Sequence, residues 1–284
     1  MSIMSLGESQ EPFMDGIKLV HRTCPLCSTE NSGAPPSRYS LPPWNIRECV
    51  ECGFVYIDSA PEYVHLAEEL DWDTTYAAEA KRKAKTRKFS YKLSRITRWR
   101  MRLIHKRTPS SVILRYHGSG RIVDLGCGSG GLIADLLDTF EPYGVEISKK
   151  LAQKADMLYR QHGGRAENAP CLAGLQNFPD NYFEAAVARS YFEHEAQPLA
   201  VMEATFRVLK PGGIIVVKVP NYASLNRRLM GSKWCGFRYP DHLNYFTPGT
   251  LKRMAEKCGF SVRSGLFDKL PTSDNMWAVL MKPV

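Results

Sequence analysis

Arg121-Ile122-Val123-Asp124-Leu125-Gly126-Cys127-Gly128-Ser129-Gly130-Gly131 is an apolar run that breaks into glycines. The pattern predicts a buried strand that turns sharply into a helix beginning near Leu132. Glycine supplies the positive φ such a turn needs and lets the backbone approach a ligand, while the first amides of the following helix have no intrahelical acceptors. The stretch therefore reads as a cofactor cradle. Gly126, Gly128 and Gly131 also satisfy G-x-G-x-x-G, the dinucleotide fingerprint, so the surroundings must decide the ligand class. Asp124 stands two residues before the first glycine. A carboxylate there repels a pyrophosphate and attracts a cationic amino group, which favours an amino-acid-like ligand. Tyr143-Gly144-Val145-Glu146-Ile147 reads as a second strand ending in an acid 20 positions after Gly126, placed for ribose hydroxyls in either ligand class. Val208-Leu209-Lys210-Pro211-Gly212-Gly213 followed by Ile214 to Val219 reads as a helix end, a turn and a buried strand.

These residues resemble the class I S-adenosylmethionine-dependent methyltransferases, specifically the small-molecule group that carries Asp-Leu-Gly-Cys-Gly-x-Gly. The resemblance runs from about Arg121 to the C-terminus. It includes Phe178-Pro179-Asp180-Asn181-Tyr182-Phe183-Glu184 before a fourth strand, Glu193-His194 after it, and the Leu-Lys-Pro-Gly-Gly turn. It also includes Pro240-Asp241-His242-Leu243-Asn244-Tyr245-Phe246-Thr247-Pro248 ahead of a helix ending at Cys258-Gly259-Phe260. The resemblance implies an α/β fold, a Rossmann-like seven-stranded sheet in the order 3-2-1-4-5-7-6. It implies that Asp124, Gly126, Cys127 and Gly128 surround the methionyl part of S-adenosylmethionine, that Glu146 binds the ribose, and that Ile147 flanks the adenine. Leu175 and Gln176, before the fourth strand, are expected at the other edge of the base, Gln176 accepting through its side-chain carbonyl.

Methyl transfer from a sulfonium needs an aligned nucleophile and, for a hydroxyl acceptor, a place for its proton. His194 is the first candidate base, with Glu193 beside it orienting the ring or packing under the cofactor, and His242 is the second. For each histidine the competing reading is a hydrogen-bonded structural residue, the commoner role near a loop or helix start. In the quinone enzymes of this group a Glu three residues before the Glu-His pair helps bind a divalent metal. Here that position is Ser190, which counts against that metal and against a quinone acceptor. Arg189, at the mouth of the fourth strand, reads either as a ligand for a substrate carboxylate or phosphate or as the partner of Glu184 or Glu195.

A second constellation is Cys24-Pro25-Leu26-Cys27 with Cys49-Val50-Glu51-Cys52-Gly53, two C-x2-C knuckles separated by 21 residues. Four thiolates at that spacing predict a closed tetrahedral zinc site, structural because no coordination position remains for substrate. A ribbon of roughly 40 residues buries too little core to fold without such a staple. Disulfides are the competing reading. Met1 to Asp15 lacks a basic start and an apolar core, and no run of 18 apolar residues exists, so a reduced, cytoplasmic chain is expected. Cys127, Cys171, Cys235 and Cys258 read as small apolar fillers. Tyr39, Trp44 and Phe54 serve as ribbon core or as a docking face, and Trp234, Phe237, Tyr239 and Tyr245 as an aromatic lid or as packing.

With 284 residues, 44% of them apolar, the chain has room for one small and one full domain. The expected division is a zinc ribbon over 20–57, a connector over 58–119 covering the cofactor cleft, and the catalytic domain over 120–284. Within the connector, Asp58 to Glu79 holds seven acids and no Lys or Arg, and Lys81 to Arg107 holds thirteen Lys or Arg and no acid. Removing those thirteen charges from the formal net charge of +9 leaves the remainder at −4, so the basic character is local. Phe89, Leu93, Ile96, Leu103 and Ile104 fall near helical spacing and predict an amphipathic helix with a basic face. That face reads as solvated, or as a site for an anionic small substrate, RNA phosphate or an acidic lipid surface. The expectation is a methyltransferase acting on a small molecule, at oxygen, with a nucleotide- or phosphate-linked sugar or a secondary metabolite as acceptor. Methylation of ribosomal or transfer RNA, and a non-catalytic S-adenosylmethionine-binding role, are the alternatives. Oligomeric state is not legible.

Overall fold

A computed structural model describes residues 19–61, 108–263 and 273–284. The basic helix expected over 81–107, and most of the connector to which it belongs, lie outside the described residues. In the N-terminal segment β1 (Leu19–His21) pairs antiparallel with β4 (Ser59–Pro61), and between them β2 (Ile46–Glu48) pairs antiparallel with β3 (Val55–Ile57). After a short α1 (Pro109–Ile113), closed by a reciprocal Thr108–Ser111 capping box with Pro109 at its first position, the chain enters an α/β alternation. Its order is β5 (Gly120–Leu125), a 3-10 helix (Gly131–Leu136), β6 (Phe140–Glu146), α2 (Lys149–Arg160), β7 (Arg165–Asn168), α3 (Cys171–Gln176) and β8 (Phe183–Arg189). Then follow α4 (Pro198–Val208), β9 (Leu209–Pro220), α5 (Leu225–Met230), β10 (Asn244–Tyr245), α6 (Pro248–Lys257), β11 (Ser261–Arg263) and β12 (Asn275–Met281).

Seven strands form one sheet in the order β11-β12-β9-β8-β5-β6-β7. Numbered within the domain and read from the β7 edge this is 3-2-1-4-5-7-6, the expected arrangement. The pairs from β7 through β9 are parallel, and β12 runs antiparallel to both β9 and β11. β8 is apolar almost throughout because both its faces are covered: Ala186 and Ala188 enter the core shared with α3, α4 and α6, while Ala185 and Val187 enter the core shared with α1, the 3-10 helix and α2. Since β5 pairs with β6 on one side and β8 on the other, the chain reverses its winding there. In open α/β sheets such a switch point is where a ligand crevice forms, outside the carboxyl ends of the strands.

The helix expected after the glycine loop is a single short 3-10 segment, interrupted at Ile133. The chain has only Leu137 to Thr139 between its end and β6, which leaves no length for an α-helix of ordinary size.

The N-terminal segment shares a sheet with the α/β unit. β10, from the stretch between β9 and α6, pairs antiparallel with β3 and completes a three-stranded sheet. Phe54, fully buried, meets Phe246 edge-on with centroids 5.2 Å apart. Lys257 Nζ donates to Leu26 O at 2.9 Å, and Arg253 donates to Cys52 O. Trp44, Ile46, Val55, Ile57, Trp234 and Tyr245 form one buried cluster, and Tyr39 stacks on Phe237 at 5.1 Å. Of the two readings of these aromatics, packing describes Trp44, Phe54, Trp234 and Tyr245. Among the described residues no helix is long and apolar enough to cross a membrane.

Candidate active site

The loop after β5 folds back over the end of β6. The amides of Gly126 and Cys127 both donate to Val145 O, at 2.9 and 3.2 Å. Gly126 has φ +67, and a Cβ there would come within 2.9 Å of the Tyr191 ring, so a side chain would meet both strained backbone and a filled space. Gly128 has φ +54 and open space where its Cβ would stand, so the loop is bare toward the crevice at that point. The Cys127 side chain is buried and turned the other way, against Gly144, where an added Cβ would lie 2.6 Å from its sulfur. Glu146, 7% exposed, accepts from Gly128 N at 2.9 Å and from Ser148 N at 2.8 Å, so its carboxylate is fixed at the rim by two backbone donors.

Asp124 is fully buried and neither carboxyl oxygen has a hydrogen-bond partner among the described residues. Burial and then the neighbouring Glu146 charge push its pKa up to about 8, against a smaller opposing pull from Arg189. A buried carboxyl without a donor is costly unless a ligand completes it. The α-ammonium of an S-adenosylmethionine methionyl group has the charge and the donors this position lacks, and Glu146 keeps lone pairs for ribose hydroxyls. The residues present thus fit the cofactor.

Ile147 is half-buried beyond Glu146, and the Asn168 amide ties β7 to this edge by donating to Glu146 O and Ile147 O at 3.0 and 2.8 Å. Leu175 lies fully buried in the core, and Gln176 is exposed at the end of α3. The structure therefore gathers Asp124, Gly126, Gly128, Glu146 and Ile147 at the ends of β5 and β6, with Asn168 beside them, and leaves Leu175 in the core. Tyr191 over Gly126 and Asn168 against Ile147 were not singled out from sequence, since neither belongs to a local pattern.

At the end of β8 the chain turns through Ser190, φ +54, into the loop carrying Glu193 and His194. A non-glycine residue in that region signals a turn enforced by its surroundings. Glu193 is 2% exposed and its Oε2 lacks a partner among the described residues. Burial pushes its pKa up to about 8, partly offset by a backbone donor and by the Lys218 and Arg238 charges. His194 Nε2 stands 4.0 Å from Glu193 Oε1, and its Nδ1 meets Asp241 O at 2.7 Å. A carbonyl only accepts, so Nδ1 carries the proton and Nε2 the lone pair. Burial first, with Arg238 assisting, lowers the imidazole to about 4 despite the Asp241 carbonyl, so the ring is neutral at physiological pH. His242 repeats the arrangement, its Nδ1 2.8 Å from Gly236 O and its ring edge-on to His194 at 4.7 Å. Glu193, His194 and His242 thus converge from two distant segments.

Arg189 and Lys218 are register partners on β8 and β9, and Lys218 and Trp277 on β9 and β12, so the three side chains line one face at the carboxyl edge of β8 and β9. Glu184, one of the expected partners of Arg189, is instead paired with Lys210.

The four ribbon cysteines converge. Their sulfurs lie 3.5 Å apart for Cys24–Cys52 and Cys27–Cys52 and 3.4 Å apart for Cys27–Cys49, and no disulfide forms. Tetrahedral Zn–S bonds of about 2.3 Å place sulfurs roughly 3.8 Å apart, so the donor set fits a zinc ion with only a small expansion.

Residues 86–264 match a family model described as a methyltransferase domain. Among curated proteins the chain is 27% identical over 160 residues to the ubiquinone biosynthesis O-methyltransferase of Aeromonas salmonicida, a match covering 50% of this chain and 63% of that protein. It is 26% identical over 147 residues to the same-named protein of Cereibacter sphaeroides, covering 49% and 59%. The chain therefore spans about three fifths of the length of these relatives. Among solved structures, an S-adenosylmethionine-dependent methyltransferase of Mesorhizobium loti superposes with a TM-score of 0.49 at 16% identity, covering 60% of this chain and 95% of the other. One from Archaeoglobus fulgidus gives 0.48 at 18% identity, covering 61% and 90%. The strand order is the one expected of class I S-adenosylmethionine-dependent methyltransferases, and the family model covers well over half of the chain: the chain belongs to this methyltransferase-domain family.

Proposed function

We propose that this chain transfers a methyl group from S-adenosylmethionine to a hydroxyl of a small, anionic acceptor, such as a nucleotide- or phosphate-linked sugar or a secondary metabolite. The observation that carries the reading is that the glycine loop with Asp124 and Glu146 and the Glu193–His194–His242 cluster follow neighbouring parallel strands, β5 and β8, at the same carboxyl edge of the sheet. The names of the curated relatives agree with transfer to oxygen.

When bound, the cofactor supplies an activated methyl on a sulfonium. Asp124 and the loop orient its methionyl part, Glu146 its ribose and Ile147 its adenine. Leu175 and Gln176 serve the other edge of the adenine, Gln176 by accepting from its amine, while the buried Leu175 side chain contributes through its place in the chain only. His194 receives the acceptor's hydroxyl proton on Nε2, with Asp241 O fixing the ring by accepting from Nδ1. His242 stands as the second base, and Glu193 lines the floor beside both rings. Arg189 and Lys218, register partners at the ends of β8 and β9, bind the acceptor's negative charge, with Trp277 in the same row for a planar or sugar face. Zinc, held by Cys24, Cys27, Cys49 and Cys52, supplies rigidity to the ribbon and takes no part in transfer.

The test is transfer of a labelled methyl group into a fractionated cell extract, scored in RNA, protein, lipid and small-metabolite pools. Nuclease-resistant small molecules retained by an anion-exchange resin are expected to carry the label. Nuclease-sensitive label would replace the reading with RNA methylation, and no label in any pool with the non-catalytic role.

A further inference from the structure

The loop between Ser190 and Pro198 carries the candidate base yet belongs to no helix or strand, so nothing in the sheet fixes it beyond its ends. Its carbonyls are fixed from elsewhere. Asn244, 1% exposed, donates from Nδ2 to Phe192 O at 2.8 Å and to Glu195 O at 2.6 Å. The amides of Leu243 and Asn244 donate to Glu193 O at 2.7 and 3.0 Å. Arg22, 8% exposed and two residues before Cys24, donates from Nη2 to Ala196 O and to Asn244 Oδ1, both at 2.9 Å. Its Nη1 donates to Ile57 O at 3.0 Å and to Leu243 O at 3.3 Å. One guanidinium from the ribbon therefore touches the ribbon strand, the strand that joins it to the α/β unit, and the far end of the catalytic loop.

We infer that Arg22 and Asn244 are positioning residues that hold Glu193 and His194 in register with the cofactor, so that the ribbon sets the geometry of the methyl-transfer site. This rests on the methyltransferase reading above. The residue types suit the task. Guanidinium is a planar fork with five donors that spans several acceptors at once, whereas an ammonium is a point charge that cannot. The Asn244 amide is used on both sides, its oxygen accepting from Arg22 and its nitrogen donating to two loop carbonyls, and an aspartate there keeps the first contact and loses the other two. A ribbon needed only for stability would bury apolar surface without spending a buried guanidinium on loop carbonyls. A displacement of about 1 Å at the base is enough to cost roughly 100-fold in rate.

The test compares full-length Arg22→Lys, Asn244→Asp and Arg47→Gln with the wild type. Arg47 is the ribbon control, since its Nε pairs with Asp58 Oδ2 at 2.8 Å inside the ribbon. The readouts are affinity for S-adenosylhomocysteine, kcat and KM for the small-molecule fraction that the wild type labels, and the imidazole 15N signals of His194. In Arg22→Lys and Asn244→Asp, kcat is expected to fall about 10- to 100-fold with the His194 signals displaced, while cofactor affinity stays within about twofold. Arg47→Gln is expected to leave kcat within about twofold and the His194 signals in place. Full kcat with unmoved His194 signals in both clamp variants would overturn the inference, as would an equal loss in Arg47→Gln. If the wild type labels no small molecule, the functional reading fails, and the His194 signals alone decide whether the clamp exists.

Discussion

Burial holds the Asp124 carboxyl at about 8, well above its ordinary 3.8, so in the ligand-free protein it keeps its proton at neutral pH. A cofactor ammonium at its oxygens reverses the balance, because an opposite charge favours the ionised form. Binding of S-adenosylhomocysteine near pH 7 is therefore expected to release up to about one proton. Calorimetric enthalpies measured in phosphate and in Tris should differ by the difference in buffer ionisation heat. Asp124→Asn should abolish that difference, and buffer-independent heats in the wild type would contradict the assignment. In stability terms the sign is the same: the fold retains a proton that the unfolded chain releases above about pH 4, so this group's contribution declines as pH rises toward 8. Asp124, the glycines and Glu146 were legible because their signal is local, an apolar run that stops at positive-φ positions with an acid at each strand end. Arg22, Asn244 and Tyr191 were silent, since each earns its place through a partner far along the chain or across a turn.

Among the elements, the alternation of apolar runs with helical stretches gave the βα succession along the chain, whereas the order of the seven strands in the sheet was an expectation from the resemblance, which the structure matches. β10 did not follow. Two residues carry no period, and the strand exists because β3 offers an edge and Arg22 and Phe54 fasten it. The helix after the glycine loop was overestimated because an apolar stretch does not reveal how soon the next strand starts. The fused ribbon makes a mechanical prediction. Phe54→Ala removes a fully buried ring at the seam with Phe246 and should cost about 3–5 kcal/mol. In urea, far-UV circular dichroism and tryptophan fluorescence should report one coincident transition at a lower midpoint. Two separated transitions would show that the ribbon folds and unfolds on its own.

For the molecule as a whole, the sheet brings the ends of β5 and β6, with Asp124 and Glu146, beside the ends of β8 and β9, with Arg189 and Lys218, so the proposed cofactor and acceptor sites share one edge of the sheet. Motifs and resemblance gave the class of this architecture, whereas the row of Arg189, Lys218 and Trp277 was not legible, because only the register brings those three residues together. The central claim is that the rim formed by Asp124, Gly126, Gly128 and Glu146 binds S-adenosylmethionine. Titration of S-adenosylhomocysteine into the wild type and Glu146→Ala, side by side in a calorimeter, tests it most directly. One site per chain is expected, weakened at least about tenfold in the variant by loss of the hydrogen bonds to ribose, roughly 1.4 kcal/mol or more. No heat with the wild type, or equal affinity in the two proteins, would contradict it.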